Sequence, residues 1–358
     1  MSPVSPPPTL REKIGQLLLV GFRGCTPAEC GVIARDIREH HIGSIILFDQ
    51  EMAGGTVDTA SRRRNIESPE QVRALLAHLQ KQAAVPLLVS IDQEGGRVNR
   101  LKPAYGFPES ISHEELGRID QPAETYRHAQ ATARTLAGLG INFNLAPVVD
   151  LDAHPDNPII KGKGRTFSGD PEKVARHAAE FMRAHRAQGV LTCAKHFPGH
   201  GSATGDTHLG LVDVTQTWHE RELIPFQRLI AAGLCDAVMS AHVFNRRLDP
   251  ERPATLSPAV ITGVLREKLG FQGVVTSDDM EMKAISSHYG LEKSVPLAIE
   301  AGIDLLCFGN NLGYDPDIAG KAAAILVHAV ESGRIPAARI DESYQRVLAL
   351  KRKAGLIT

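Results

Sequence analysis

Eight short apolar runs, separated by amphipathic helical stretches, limit what this chain can fold into more than any other feature. They are "LLLVGF" (17–22), "SIILFD" (44–49), "LLVSID" (87–92), "NFNLAPVVD" (142–150), "VLTCAKHF" (190–197), "DAVMSAHV" (236–243), "GVVTSDDM" (273–280) and "DLLCFG" (304–309). Their apolarity is continuous, not alternating, as in strands buried on both faces of a parallel sheet. Between them lie helical patterns such as "PEQVRALLAHLQKQAA" (69–84), "PEKVARHAAEFMRAHRAQG" (171–189) and "SPAVITGVLREKLG" (257–270). Several open on Ser or Asp plus Pro and close on Gly, the usual capping chemistry. Strand and helix alternating in this way predict an α/β fold, a single-domain (β/α)8 TIM barrel; a doubly wound open sheet is the alternative. No linker divides the 358 residues. The expected organisation is a flexible Pro/Ser-rich segment over 1–9, then one barrel domain over 10–358.

Composition enters by exclusion. The formal net charge is −1, which gives no electrostatic reason for a nucleic-acid or anionic-membrane partner. No apolar run reaches the ~20 residues of a membrane span. The opening "MSPVSPPPTLREKIGQLLLVGF" has no basic head, long apolar stretch or small-residue cleavage site, so a cytoplasmic location is expected. The five cysteines (25, 30, 193, 235 and 307) are odd in number and form no CxxC pair. That argues against a disulfide framework and a thiolate zinc site and for reduced, buried thiols.

Barrel enzymes place their chemistry at the C-terminal ends of the strands. Here those ends carry Asp92, Asp150, Lys195, His196, His242, Asp278, Asp279 and Asn310, whereas the N-terminal ends read as mostly small or apolar. The densest stretch is "AKHFPGHGSATGDTH" (194–208). Lys195 and His196 close the fifth strand, and Pro198 with three glycines then forces a loop. Asp206 and His208 are close enough for the carboxylate to orient the imidazole and raise its basicity, as a general acid–base requires. The glycines would allow that loop to open and close. A metal site built from His196, His200, Asp206 and His208 is the competing reading, although Pro198 and Gly199 break the helix on which an i, i+4 histidine pair usually sits.

Three other segments carry chemistry. "VVTSDDM" (274–280) offers a nucleophile or base on a rigid strand end, with Asp278 and Asp279 equally placed; capping of the next helix by Ser277 and Asp278 is the bland alternative. "SIDQEGGRVNRL" (90–101) supplies Asp92, Glu94, Arg97 and Arg100, suited to sugar hydroxyls or a carboxylate, or else to a surface ion-pair network. "HPDNPIIKGKGRTFSGD" (154–170) is a long irregular connection, the kind often functional, and Arg165 is its candidate for reaching a ligand. No dinucleotide fingerprint or phosphate loop is present.

Taken together, "KHFPGHGSATGDTH", "SIDQEGGRVNR" and "TSDDMEM" resemble the family-3 glycoside hydrolases, and more narrowly the bacterial β-N-acetylglucosaminidases of peptidoglycan recycling. The resemblance runs from about residue 10 to the end, with the motifs in order on the third, fifth and seventh strands. It implies that Asp278 is the nucleophile, His208 the general acid–base and Asp206 its orienting partner. It implies sugar-binding roles for Asp92, Arg100, Arg165, Lys195 and His196, with no cofactor and no metal. Ser202–Gly205 departs from the loop of close relatives while keeping the spacing to Asp206. The implied reaction is retaining exo-hydrolysis of terminal β-linked N-acetylglucosamine through a covalent intermediate; the second carboxyl usual in such enzymes is replaced by the Asp–His pair. The expected partner is a small carbohydrate, a muropeptide or chitooligosaccharide, on a monomer or weak oligomer. A second large domain of the kind that related glucosidases carry is not expected. A metal-dependent hydrolase, a phosphorylase of the same family and a sugar-binding barrel without catalysis are the other readings.

Overall fold

In the structure, a computed structural model, residues 7–52 and 63–358 are described; most of the expected flexible segment, residues 1–6, lies outside them. All eight expected strands form. They are β1 (Leu18–Gly21), β2 (Ser44–Leu47), β3 (Leu88–Ile91), β4 (Phe143–Asn144), β5 (Leu191–Phe197), β7 (Ala237–Ser240), β9 (Val274–Ser277) and β10 (Leu306–Phe308). Two further strands, β6 (Val212–Asp213) and β8 (Val243–Phe244), pair with each other outside the barrel. The main sheet runs β10-β1-β2-β3-β4-β5-β7-β9, all parallel. A bridge between Thr276 and Leu305 joins its two ends, and the Ser277 N–H donates to the Leu305 carbonyl at 3.0 Å. The cylinder is closed, as the alternation predicts, and the open doubly wound sheet does not occur.

The helices of the described residues are α1 (Leu10–Gln16), α2 (Gly31–Glu39), α3 (Pro69–Gln80), α4 (His113–Ile119), α5 (Pro122–Leu139), α6 (Pro171–Arg186), α7 (Ile224–Ala231), α8 (Lys283–Ala301), α9 (Ile318–Glu331) and α10 (Ala337–Lys353). Cap chemistry falls where the sequence puts it. Ser68 and Asp170 accept N–H groups of the first turns of α3 and α6, each with Pro at the helix start. The stretch expected as the helix of 257–270 is instead a π-helix over Ala259–Lys268, with wider i→i+5 turns.

Leu19, Ile46, Leu88, Phe143, Leu191, Ala237, Val274 and Leu305 meet inside the cylinder as a closed apolar layer, and Val347 and Leu350 of α10 pack against it from the N-terminal end. A filled base leaves only the C-terminal mouth for a ligand. The N-terminal ends are mostly small or apolar, as expected, with two charged exceptions. Asp236, just before β7, and Asp304, just before β10, are buried there, and both are neutralised by cations from surrounding helices. The five cysteines are all free, with Cys25, Cys30, Cys193 and Cys307 buried. No helix among the described residues is long and apolar enough to cross a membrane.

Candidate active site

The C-terminal mouth holds a cavity of about 350 Å³. Its floor is the upper end of the barrel core, with Ile46, Leu145, Met239 and Cys307, and its walls carry every site residue the sequence predicts except Asp206. Asp206 is held against one of those wall residues, His208.

The third and fifth strands build one wall. Asp92 and Glu94 follow β3, and Lys195, two residues before the end of β5, has its ammonium 2.7 Å from a carboxylate oxygen of each. Glu94 also receives Arg165 in a bidentate fork, Nε and Nη2 both at 2.8 Å. Burial alone would raise the Glu94 carboxyl, but Arg165 and Lys195 outweigh it and hold it well below its ordinary range. Lys195 is buried too, yet Asp92 and Glu94 keep it charged. A buried charge is tolerable only when paired in this way. Arg100 sits between Asp92 and Asp49 at 3.7 and 3.8 Å. The exposed Arg97 donates to the Gly162 carbonyl at 2.7 Å, tying the loop after β3 to the loop that carries Arg165.

The register of β5 shifts between Lys195 and Phe197, and Lys195 and His196 both line the cavity although adjacent. Asp150, beyond β4, accepts His196 Nδ1 at 2.6 Å, the His196 N–H at 3.1 Å and the His200 N–H at 2.8 Å. Asp150 therefore fixes the His196 ring with Nδ1 as donor. Arg165 Nη2 lies 3.3 Å from His196 Nε2, so a guanidinium stands where a metal would approach that nitrogen. Burial pushes the His200 ring down to about 4, and its Nε2 is 3.3 Å from the Thr207 hydroxyl. Among the described residues no three His, Cys, Asp or Glu side chains are grouped as a metal site. The four-residue metal reading finds no support in this geometry.

Opposite stand the two aspartates that the sequence could not separate. Asp278 follows β9 and faces the cavity. Burial would raise its carboxyl, but the facing His196, His242 and His208 hold it down to about 2. Asp279 spends Oδ1 on the N–H groups of Glu281 and Gly309, at 3.0 and 3.1 Å. Burial raises its carboxyl, with the Asp278 charge adding to the shift. One aspartate is an ionised group facing open space; the other staples the ends of β9 and β10. Helix capping by Ser277 and Asp278 does not occur: α8 begins at Lys283, and Ser277 Oγ accepts the Cys307 N–H. His242 lies beneath this turn and donates from Nε2 to the Asp279 carbonyl at 2.9 Å.

His208 completes the mouth from the loop after β5. Its Nδ1 is 2.7 Å from Asp206 Oδ1, which also accepts the His208 N–H at 2.9 Å. The side chain is 27% exposed, against 2% for Lys195. Asp206 keeps its negative charge despite burial because His208 bonds it. Gly201 belongs here by necessity, since a Cβ at that position would stand 1.9 Å from the Leu151 carbonyl oxygen. Sequence reasoning missed Asp49, Lys163 and Asn311. Asp49 ends the run "SIILFD" just as Asp92 ends "LLVSID", so the signal was there; Lys163 and Asn311 carry none beyond their neighbours.

Comparison with known proteins follows from this geometry. The model of the glycosyl hydrolase family 3 N terminal domain matches residues 9–350. Beta-hexosaminidase A of Pseudoalteromonas piscicida is 30% identical over an alignment covering 97% of this chain and 62% of that protein. The structure of a glycoside hydrolase family 3 beta-N-acetylglucosaminidase from Paenibacillus superposes with a TM-score of 0.88 at 40% identity, covering 98% of this chain and 63% of that one. Beta-N-acetylhexosaminidase from Beutenbergia cavernae superposes with a TM-score of 0.85 at 33% identity, covering 97% and 99%. The chain thus spans less than two thirds of the first two proteins and nearly all of the third.

Proposed function

The chain belongs to glycosyl hydrolase family 3, and from that premise we propose that it is a retaining exo-β-N-acetylglucosaminidase with Asp278 as nucleophile and His208 as acid–base. One observation carries the reading. An ionised Asp278 and a His208 oriented by Asp206 face the same closed-end cavity. Asp278 attacks the anomeric carbon while His208, protonated at Nε2, donates to the departing glycosidic oxygen. The covalent glycosyl-enzyme is then opened by water, from which His208 takes the proton, and the β configuration is retained. The charge of Asp206 stabilises the imidazolium and fixes which nitrogen faces the substrate.

Asp92, Arg100, Lys195, His196 and Arg165 hold the terminal sugar. Their mutual ion pairs fix donors and acceptors before substrate arrives, which limits the ordering cost of binding. A cavity closed at its base suits removal of one sugar from a chain end. The N-acetyl preference is supported by the named activities of the similar proteins. Muropeptide fragments in the cytoplasm are the proposed natural substrate, by analogy with the family alone.

The test is release of nitrophenol from the aryl β-N-acetylglucosaminide beside the aryl β-glucoside, with chelator throughout. Wild type is expected to turn over the N-acetyl compound and to release the β anomer first. Asp278→Ala is expected to lose at least about a thousandfold in kcat. Turnover of neither compound by folded wild type, or an undiminished Asp278→Ala, overturns the proposal; activity abolished by the chelator points to a metal hydrolase.

A further inference from the structure

The loop after β10 is pinned more tightly than a turn needs. Asn310 adopts a left-handed backbone, φ 51°, which asparagine tolerates better than most residues. Its N–H donates to Glu281 Oε2, its carbonyl accepts the buried Arg64 at 2.8 Å, and its side-chain amide exchanges bonds with the backbone of Asp315 at 3.0 and 2.7 Å. The Asn311 carbonyl accepts the Met52 N–H at 3.1 Å.

The Asn311 side chain is the exception. It lines the active cavity and is 6% exposed, and among the described residues neither Oδ1 nor Nδ2 has a hydrogen-bond partner. A buried amide left unpaired on both atoms is costly and rare. Here the Asn311 carbonyl and the whole of Asn310 are engaged, while the Asn311 side chain is left open toward the cavity.

Which part of a sugar it meets follows from the barrel's order. In the closed ring of strands β9 and β3 stand opposite each other, so a pyranose with C1 at Asp278 points C4 toward Asp92. One flank, from β4 and β5, presents Arg165, Lys195 and His196, largely donors and suited to the acceptor carbonyl of an acetamido group and to hydroxyls. The other, from β10 and β2, presents Asn311 among Phe48, Met52 and Leu312. C2 and C3 lie along one edge of a pyranose, and the ring oxygen and C5 with its hydroxymethyl along the other. A hydroxymethyl is an apolar carbon bearing one group that both donates and accepts, which matches a carboxamide in an apolar wall. Resting on the N-acetylglucosaminidase reading, we propose that Asn311 recognises the C6 hydroxyl of the terminal sugar and selects for sugars that carry it.

The experiment compares kcat/KM for the aryl β-N-acetylglucosaminide and its 6-deoxy analogue in wild type, Asn311→Ala and Asn311→Ser, with thermal unfolding as the folding control. Wild type is expected to prefer the 6-hydroxy compound by about 10- to 100-fold. Both variants are expected to lose that preference because only the 6-hydroxy compound slows. A wild type without the preference, variants that keep it, or equal slowing of both compounds would each overturn the role. Turnover of neither compound by folded wild type sinks the hydrolase reading alone. Calorimetric binding of N-acetylglucosamine and its 6-deoxy form then decides the matter for Asn311.

Discussion

Both ends of this barrel bury carboxylates, and the contrast lies in how completely they are neutralised. At the N-terminal end Asp304 accepts Arg266 and the Val275 N–H on one oxygen, and Ser343, Arg346 and Arg339 on the other. Asp236 likewise meets Arg186, Lys353 and the Thr192 N–H. At the C-terminal end Asp278 has three histidines around it but, among the described residues, no Lys or Arg in contact, and the neighbouring Asp279 and Glu281 carboxyls are both raised. Burial of a charge is therefore no mark of function here; unspent capacity beside a cavity is. A saturated carboxylate holds helices to strands, and an unsaturated one is free to meet a substrate.

The largest effect that would break this contrast is expected at Asp304. Asp304→Asn keeps the size but leaves Arg266, Arg339 and Arg346 facing a neutral group at the barrel's base. Removing one partner of a buried ionic cluster costs about 3–5 kcal/mol, and denaturant unfolding is expected to register a loss in that range. The kcat of the fraction that remains folded should equal that of wild type. A stable Asp304→Asn protein with depressed kcat would mean that the base communicates with the mouth, and the division between the ends would fail.

Glu94 sharpens the contrast because it sits at the mouth yet is saturated like a residue of the base. It is 3% exposed and holds both Arg165 and Lys195. Glu94→Gln is expected to affect both properties: a loss of roughly 2–3 kcal/mol in unfolding free energy, less than at Asp304 because Asp92 still holds Lys195, and a fall of roughly 10- to 100-fold in kcat/KM as Arg165 and Lys195 lose their positions. Unfolding and steady-state kinetics on the same preparation measure the two. A loss confined to stability would move Glu94 into the structural class.

How far the sequence discloses this depends on how local each signal is. All eight strands are legible because burial on both faces makes each an unbroken apolar run. Their lengths are less so: the run 142–150 yields only Phe143–Asn144 as ladder, since Pro147 has no N–H to offer. The loop 194–208 reads almost completely, because Asp206 and His208 are neighbours in sequence and proline with glycine announces the break. Asp92 closes an apolar run and Asp304 opens one, which marks the first as a site candidate and says nothing of the partners of either. Only the fold supplies Arg339 and Arg346 to Asp304 and leaves Asp92 facing a cavity. Asp278 and Asp279 were indistinguishable for the same reason: the staple to Gly309 comes from the next strand. Asn311 is a plain loop residue until its lack of partners is seen.

The smallest expected effect tests the unsaturated end directly. Burial pushes the Glu281 carboxyl up to about 8, with the Asp279 charge and then Asp315 adding to the rise, against the Asn310 N–H and Arg64. In the unfolded chain it returns to an ordinary value near 4.5. A carboxyl raised on folding favours the folded state fully below the unfolded value, and that contribution is lost as pH climbs through the folded one. Between about pH 4.5 and 8 wild type is thus expected to lose stability that Glu281→Gln keeps, since the glutamine oxygen can still accept the Asn310 N–H. Melting temperatures of the two proteins should coincide near pH 4.5 and separate by roughly 2–4 °C at pH 9, the variant being higher. The same measurement on Asp304→Asn should give a difference of opposite sign, wild type being higher. A Glu281→Gln protein that melts with wild type at every pH would mean that the mouth compensates its carboxyls as fully as the base does, and the distinction between the two ends would rest on Asp278 alone.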